Sequence, residues 1–255
     1  MTLHVERYGA GADLVLLHGW GLSSAIWQPL IEPLSRRYRL TLIDIPGLGR
    51  SQALDDTAIE TLVEALLAVA PERASWIGWS LGGALALAVA ARAPERVGAL
   101  ALVAATPCFV QRDDWPCAMD RATFDAFVTG LADNAAKTLS RFAMLQTQGS
   151  ACARQELRLL KQVIADSAAQ PSGLAATLNL LREDLRPQLA GTQQPLLLVL
   201  GEQDPLVPVS VAEPVAAMRS DSLILRYASA AHLPFVTEPE RFVADLTAFV
   251  DGAER

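Results

Sequence analysis

The chain has 255 residues, 51% of them apolar, enough to bury one α/β core with an insertion and too apolar for a disordered chain. Its 28 acidic and 21 basic residues leave a net charge of −7, which argues against general nucleic-acid binding. Three cysteines, Cys108, Cys117 and Cys152, are odd in number and lack metal-ligand spacing, as suits a protein of a reducing, cytoplasmic compartment without a metal site.

Residues 1–13 carry charges and no apolar core, so no signal peptide is expected. Residues 14–17, Leu-Val-Leu-Leu, form an unbroken apolar run of the kind a parallel strand buried on both faces requires. Residues 39–45, 74–77 and 97–104 read the same way, and helical patterns at 24–36, 57–70 and 81–93 alternate with them. The longest apolar stretch, 84–107, is interrupted by Arg92, Glu95 and Arg96, which excludes a membrane span. From about 106 to 187 the strand signals stop, and four helical patterns follow at 124–134, 135–146, 153–166 and 173–183. The alternation then resumes with a strand at 195–201, a helix at 209–218, a strand at 222–227 and a last helix at 239–251.

This order predicts an α/β protein with a mostly parallel, doubly wound sheet and a helical cap inserted between two of its strands. The chain then divides into a first core part, 1–106, a cap, 107–187, and a second core part, 188–255. A lid there is useful, because ligand sites favour the carboxyl edge of such sheets.

The most informative motif is Gly78-Trp79-Ser80-Leu81-Gly82-Gly83, between an apolar run and a long helical pattern. A serine on a tight strand-to-helix turn needs strained backbone angles, and glycines two residues either side remove the Cβ atoms that would collide. Such a turn lifts the hydroxyl clear of the sheet and points the next backbone N–H, on Leu81, toward a developing oxyanion. Ser80 is therefore a candidate nucleophile. A base must follow, and of the three histidines, His4, His18 and His232, only His232 lies after the serine, beyond the last predicted strand. An orienting acid should close the preceding strand; Asp204 is well placed, with Glu202 the nearest alternative.

The second oxyanion donor should come from the loop after the first buried strand, His18-Gly19-Trp20-Gly21, with the Trp20 N–H as candidate. His18 itself reads as a structural residue holding that loop. Residues 44–51, Asp-Ile-Pro-Gly-Leu-Gly-Arg-Ser, read as a glycine-rich turn, since they have neither the lysine nor the spacing of a phosphate loop.

Taken together, these segments resemble the α/β-hydrolase superfamily along the whole chain. The stretches 14–22, 78–83, 107–109 with 112–116, and 141–142 with 145–147 and Gly149 are more closely similar to its pimeloyl-acyl-carrier-protein methyl ester esterases. That resemblance implies a triad of Ser80, Asp204 and His232, oxyanion N–H groups on Trp20 and Leu81, and no cofactor. It further implies that Phe142, Ala143, Met144, Leu145 and Gln146 line an acyl channel, with Trp20, Ser80, Leu81 and His232 completing the substrate site. The substrate's acidic carrier protein would meet Arg141, Arg154 and Arg158, with the enzyme a monomer. Lys137 stands where another arginine is expected, which keeps the charge and loses the bidentate fork.

The charge pattern supports a carrier-docking face separately. Five basic residues and one acid, Glu156, lie between Lys137 and Lys161, and these are the only two lysines of the chain. Lys137 with Arg141, and Arg154 with Arg158, are i,i+4 neighbours, so each pair lines one helix face. A general carboxylesterase, lactonase or carbon–carbon hydrolase on the same scaffold is the alternative, and a non-catalytic binding protein a remote one.

Overall fold

The computed structural model describes residues 2–253. Its seven strands are β1 (Val5–Tyr8), β2 (Ala12–Leu17), β3 (Tyr38–Ile43), β4 (Ala74–Trp79), β5 (Val97–Val103), β6 (Leu196–Gly201) and β7 (Leu223–Tyr227). They form one sheet in the order β1-β3-β2-β4-β5-β6-β7. β1 is antiparallel to β3, and every other neighbouring pair is parallel. The six predicted strands are β2 to β7. β4 and β6 are buried at every position, which is why they read as continuous apolar runs.

β1 was not expected from the sequence. It is four residues long, two of them charged, and none is fully buried, so an edge strand of this kind leaves no apolar signature.

The helices are α1 (Gln28–Ser35), α2 (Ile59–Val69), α3 (Leu81–Arg92), α4 (Arg121–Asp133), α5 (Ala135–Gln146), α6 (Ala153–Ala165), α7 (Pro171–Asn179), α8 (Arg186–Gly191), α9 (Ala212–Met218), α10 (Pro234–Thr237) and α11 (Pro239–Ala253). Two apolar clusters sandwich the sheet. On β2, Leu14 and Leu16 join the cluster holding Leu30 and Leu34 of α1 and Phe242 and Leu246 of α11. Val15 and Leu17 point the other way, into the cluster of Leu62 and Leu66 of α2 and Leu85 and Val89 of α3.

Five helices, α4 to α8, intervene between β5 and β6. Asp120 caps α4 by accepting the Thr123 N–H at 2.8 Å. Asn134 divides α4 from α5, ending the first and accepting the Lys137 N–H at 2.9 Å to start the second. The predicted helix at 173–183 is α7 followed by a 3₁₀ turn over Leu180–Arg182. It begins two residues earlier than expected because Pro171 supplies a preset first-turn conformation. Among the described residues no helix is long and apolar enough to cross a membrane.

Strands β2, β4, β6 and β7 all point the same way, so the loops that follow them meet at one carboxyl edge. Those loops carry Trp20, Ser80, Asp204 and His232.

Candidate active site

Ser80 sits between β4 and α3 with φ +55° and ψ −120°, a region costly for any residue with a Cβ. Two close approaches make the turn possible. A Cβ on Gly78 would lie 2.2 Å from the Gly82 carbonyl oxygen, and one on Gly82 would lie 2.3 Å from that of Leu17. The strained backbone is tied down from both sides. Ser80 N–H donates to the Val103 carbonyl at 2.9 Å, and the Ser80 carbonyl accepts from Gly83 N–H at 2.9 Å.

His232 is fully buried, and its Nδ1 lies 2.7 Å from Asp204 Oδ2. The other carboxylate oxygen, Oδ1, accepts the backbone N–H groups of Leu206 and Val207 at 2.8 and 3.2 Å. With Asp204 held from behind, Nδ1 carries the proton and Nε2 presents a lone pair. Nε2 is buried and has no hydrogen-bond partner; none joins it to Ser80 Oγ in this structure. Glu202 is exposed and stands outside this arrangement.

The His232 segment is seated on the sheet by Gly201, where a Cβ would lie 2.0 Å from the Ala231 carbonyl oxygen. Trp79, the residue before Ser80, donates from Nε1 to the His232 carbonyl at 2.7 Å and packs 5.5 Å from the imidazole. Sequence reasoning passed over this tryptophan. Its position next to the serine, on a strand buried at every residue, was the available signal.

His18 also lies fully buried, with a different pattern of bonds. Ile45 N–H donates to Nε2 at 3.0 Å, so Nε2 is unprotonated, and Nδ1–H donates to the Gly19 carbonyl at 2.8 Å. Burial pushes its pKa below the ordinary histidine value, consistent with a neutral ring. The Gly19 carbonyl and the Trp20 N–H belong to one trans peptide and point in opposite directions. His18 thus fixes where the Trp20 N–H aims. A Cβ on Gly19 would lie 3.4 Å from the Ser80 Cβ, so this loop flanks the serine. Among the described residues, neither the Trp20 nor the Leu81 backbone N–H has a protein acceptor.

Residues 14–239 match the family model described as alpha/beta hydrolase fold. The chain belongs to the α/β-hydrolase family. Within it, the chain is 45% identical to the pimeloyl-[acyl-carrier protein] methyl ester esterase of Edwardsiella ictaluri (strain 93-146), over 96% of this chain and 95% of that one. It is 38% identical to the protein of the same name from Nitrosomonas europaea, over 95% and 97%. Among solved structures, an esterase from Exiguobacterium antarcticum superposes with a TM-score of 0.86 at 24% identity, covering 98% of this chain and 95% of that one. An enol-lactonase from Burkholderia xenovorans LB400 gives 0.84 at 20% identity, over 98% and 96%. These two likenesses speak to fold alone.

In this α/β hydrolase the helical block closes over the site. Trp20 Nε1 donates to the Leu174 carbonyl of α7 at 2.9 Å, and the Trp20 ring meets Phe142 of α5 edge-on at 5.1 Å. The five residues 142–146, expected to line one channel together, are divided by the helix they form. Phe142 packs between Trp20 and Phe127, while Ala143 turns into the cluster with Leu160 and Val163. Met144 is 51% exposed, Leu145 is half-buried, and Gln146 is buried with its carbonyl accepting the His232 N–H at 3.1 Å. Consecutive residues on an α-helix step by about 100°, so five in a row cannot share a face.

Ser80 borders a crevice of about 10 Å³ among Thr106, Phe109, Leu180 and Leu181, room for roughly one water. Larger hollows lie elsewhere: one of about 290 Å³ beside Phe127 and Arg141, and one of about 250 Å³ between the Pro46–Leu54 turn and α7. Lys137, Arg141, Arg154 and Arg158 are all exposed. Among the described residues none of the four is within ion-pair distance of a carboxylate, whereas Arg92, Arg112 and Arg182 each meet one.

Proposed function

We propose that this chain, a carboxylic ester hydrolase by kinship, hydrolyses the methyl ester of pimeloyl-acyl-carrier protein, with Ser80, His232 and Asp204 as its catalytic triad. The observation that carries the reading is the buried, unbonded Nε2 of an imidazole fixed by Asp204 and seated against the Ser80 turn. An unpartnered lone pair costs stability where it stands and gains a use only when a hydroxyl proton arrives. The substrate follows from the relatives' names together with the exposed, unpaired cations on α5 and α6, which suit an acidic carrier.

In this mechanism Ser80 Oγ attacks the ester carbonyl as Nε2 takes its proton. The oxyanion accepts the N–H groups of Trp20 and Leu81, each contributing about 3 kcal/mol in the transition state. The tetrahedral intermediate collapses, the carbon–oxygen bond to methoxide breaks, and methanol leaves with the proton from His232. Water, losing a proton to the same nitrogen, then attacks the acyl-enzyme; the acyl bond to Ser80 Oγ breaks, Oγ takes the proton back from His232, and the free acid leaves and ionises. Asp204 stays ionised and stabilises the imidazolium in both halves. No step needs a metal or organic cofactor.

The decisive experiment compares kcat/KM on the carrier-linked methyl ester and on a free short-chain methyl ester at low and high salt. The carrier-linked ester should be cleaved faster, with a rate that falls as salt rises. Reversing the charge of Arg141, Arg154 and Arg158 together should cost that substrate about tenfold or more and the free ester little. Equal losses on both substrates, or a carrier rate indifferent to salt, would reduce the reading to a general esterase.

A further inference from the structure

The one acid between residues 137 and 161, Glu156, does not stand among the exposed cations. Arg154 and Arg158 lie two residues either side of it on α6, about 200° round the helix, and face solvent. Glu156 is 0% exposed. Its Oε1 accepts from Ser150 Oγ at 2.7 Å and from Thr237 Oγ1 at 2.5 Å, while its Oε2 is buried with no partner. Burial pushes the carboxyl above the ordinary glutamate value, against the pull of the two hydroxyls and of nearby His232. Burying a carboxyl this way is costly, a cost its two hydroxyl bonds offset only in part.

What they hold is visible from where the hydroxyls sit. Thr237 ends α10, the single-turn helix that starts two residues after His232. Ser150 lies in the turn between α5 and α6. The same two segments are stitched by backbone bonds, from His232 N–H to the Gln146 carbonyl at 3.1 Å and from Ala151 N–H to the Ser229 carbonyl at 2.9 Å. Glu156 closes this seam at its far end.

We propose that Glu156 is a positioning residue for His232: a latch joining the helix that bears Arg154 and Arg158 to the segment that bears the base, so that Nε2 stays in register with Ser80. The proposal rests on His232 being the base. Undiminished hydrolysis by His232→Ala would remove that reading, and it is read on a different variant from those that test the latch.

The test uses a free short-chain ester, so that carrier docking plays no part, and normalises each rate to the folded fraction from circular dichroism. Glu156→Gln keeps an oxygen able to accept both hydroxyls and should retain kcat within about threefold. Glu156→Ala should lower kcat about tenfold or more with KM within about twofold, as a displaced base does. Thr237→Val leaves the carboxyl in place, should lower kcat in the same sense, and carries the test if Glu156→Ala fails to fold. Wild-type kcat in folded Glu156→Ala or Thr237→Val overturns the proposal, and so does a Glu156→Gln enzyme as impaired as the alanine variant.

Discussion

The loop after β2 and the loop after β7 each bury a histidine near an aspartate, and they do opposite things with it. At His18 both ring nitrogens are spent, one on the Gly19 carbonyl and one on the Ile45 N–H. Its aspartate, Asp44, is 4.0 Å away and is itself taken up by the backbone N–H groups of Ser24 and Arg50 at 2.7 and 2.8 Å. At His232 one nitrogen is spent on Asp204 at 2.7 Å and the other is left open beside the serine turn. A closed hydrogen-bond set makes a histidine a brace. One free lone pair, desolvated beside the serine turn, suits it to the role of base proposed for His232. Burial does not distinguish the two, since both are fully enclosed.

The same substitution at the two aspartates is the sharpest way to break this comparison. Asp204→Asn should cost about 10⁴-fold in kcat, because an amide can present a donor to Nδ1 and favour the wrong tautomer, while stability changes little. Asp44→Asn should do the reverse. Asp44 accepts from Ser24 N–H through Oδ1 and from Arg50 N–H through Oδ2, and an asparagine can accept at only one of those positions. Burial works against the Asp44 charge; nearby His18, and after it these donors, nonetheless hold its carboxyl below the usual range. The expected loss is about 1–3 kcal/mol in urea unfolding, with kcat of the folded enzyme nearly intact. Comparable kinetic damage from both variants would mean that the two aspartates are not doing different work.

The parts of the candidate site were unequally legible in the sequence. Ser80 was plain because its turn is a local steric problem with a local solution, glycines two residues either side. His232 was singled out by elimination among three histidines, and Asp204 by its place after a strand; the fold brings the two within 2.7 Å. What the sequence did not disclose depends on contacts between distant segments. Glu156 reads as one acid in a basic stretch, and its hydroxyl partner Thr237 is 81 residues away. Trp79 reads as another strand residue, although its indole holds the His232 carbonyl 153 residues on. β1 was missed for a different reason, since an edge strand of four residues, two of them charged and none fully buried, leaves no apolar run. The alternation of strands and helices was legible because burial on both faces of a parallel sheet leaves unbroken apolar runs.

The brace at His18 makes a smaller kinetic prediction. His18→Ala frees the Gly19–Trp20 peptide to rotate, and the Trp20 N–H loses its aim. Loss of one oxyanion donor corresponds to about 10²-fold in kcat. The effect should appear in kcat more than in KM, because the donor is needed where charge develops. A variant with unchanged kcat would show that the peptide is held by other contacts, for example the Trp20 bond to Leu174.

The smallest effect is on stability against pH. Burial holds the His18 pKa below its ordinary value, so the folded protein resists protonating this ring while the unfolded chain takes up a proton near pH 6.5. The unfolded state therefore binds more protons below about pH 6.5, and the contribution of His18 to stability is lost as pH falls through that value. Above it the ring is neutral in both states and contributes no slope. One proton sets a ceiling of about 1.4 kcal/mol per pH unit. Urea unfolding between pH 7.5 and 5 should show a decline that flattens by up to this slope in His18→Asn, which retains an amide donor for the Gly19 carbonyl but cannot titrate. An identical slope in the variant would place the acid sensitivity elsewhere in the fold and leave His18 without the buried neutral state that its two hydrogen bonds require.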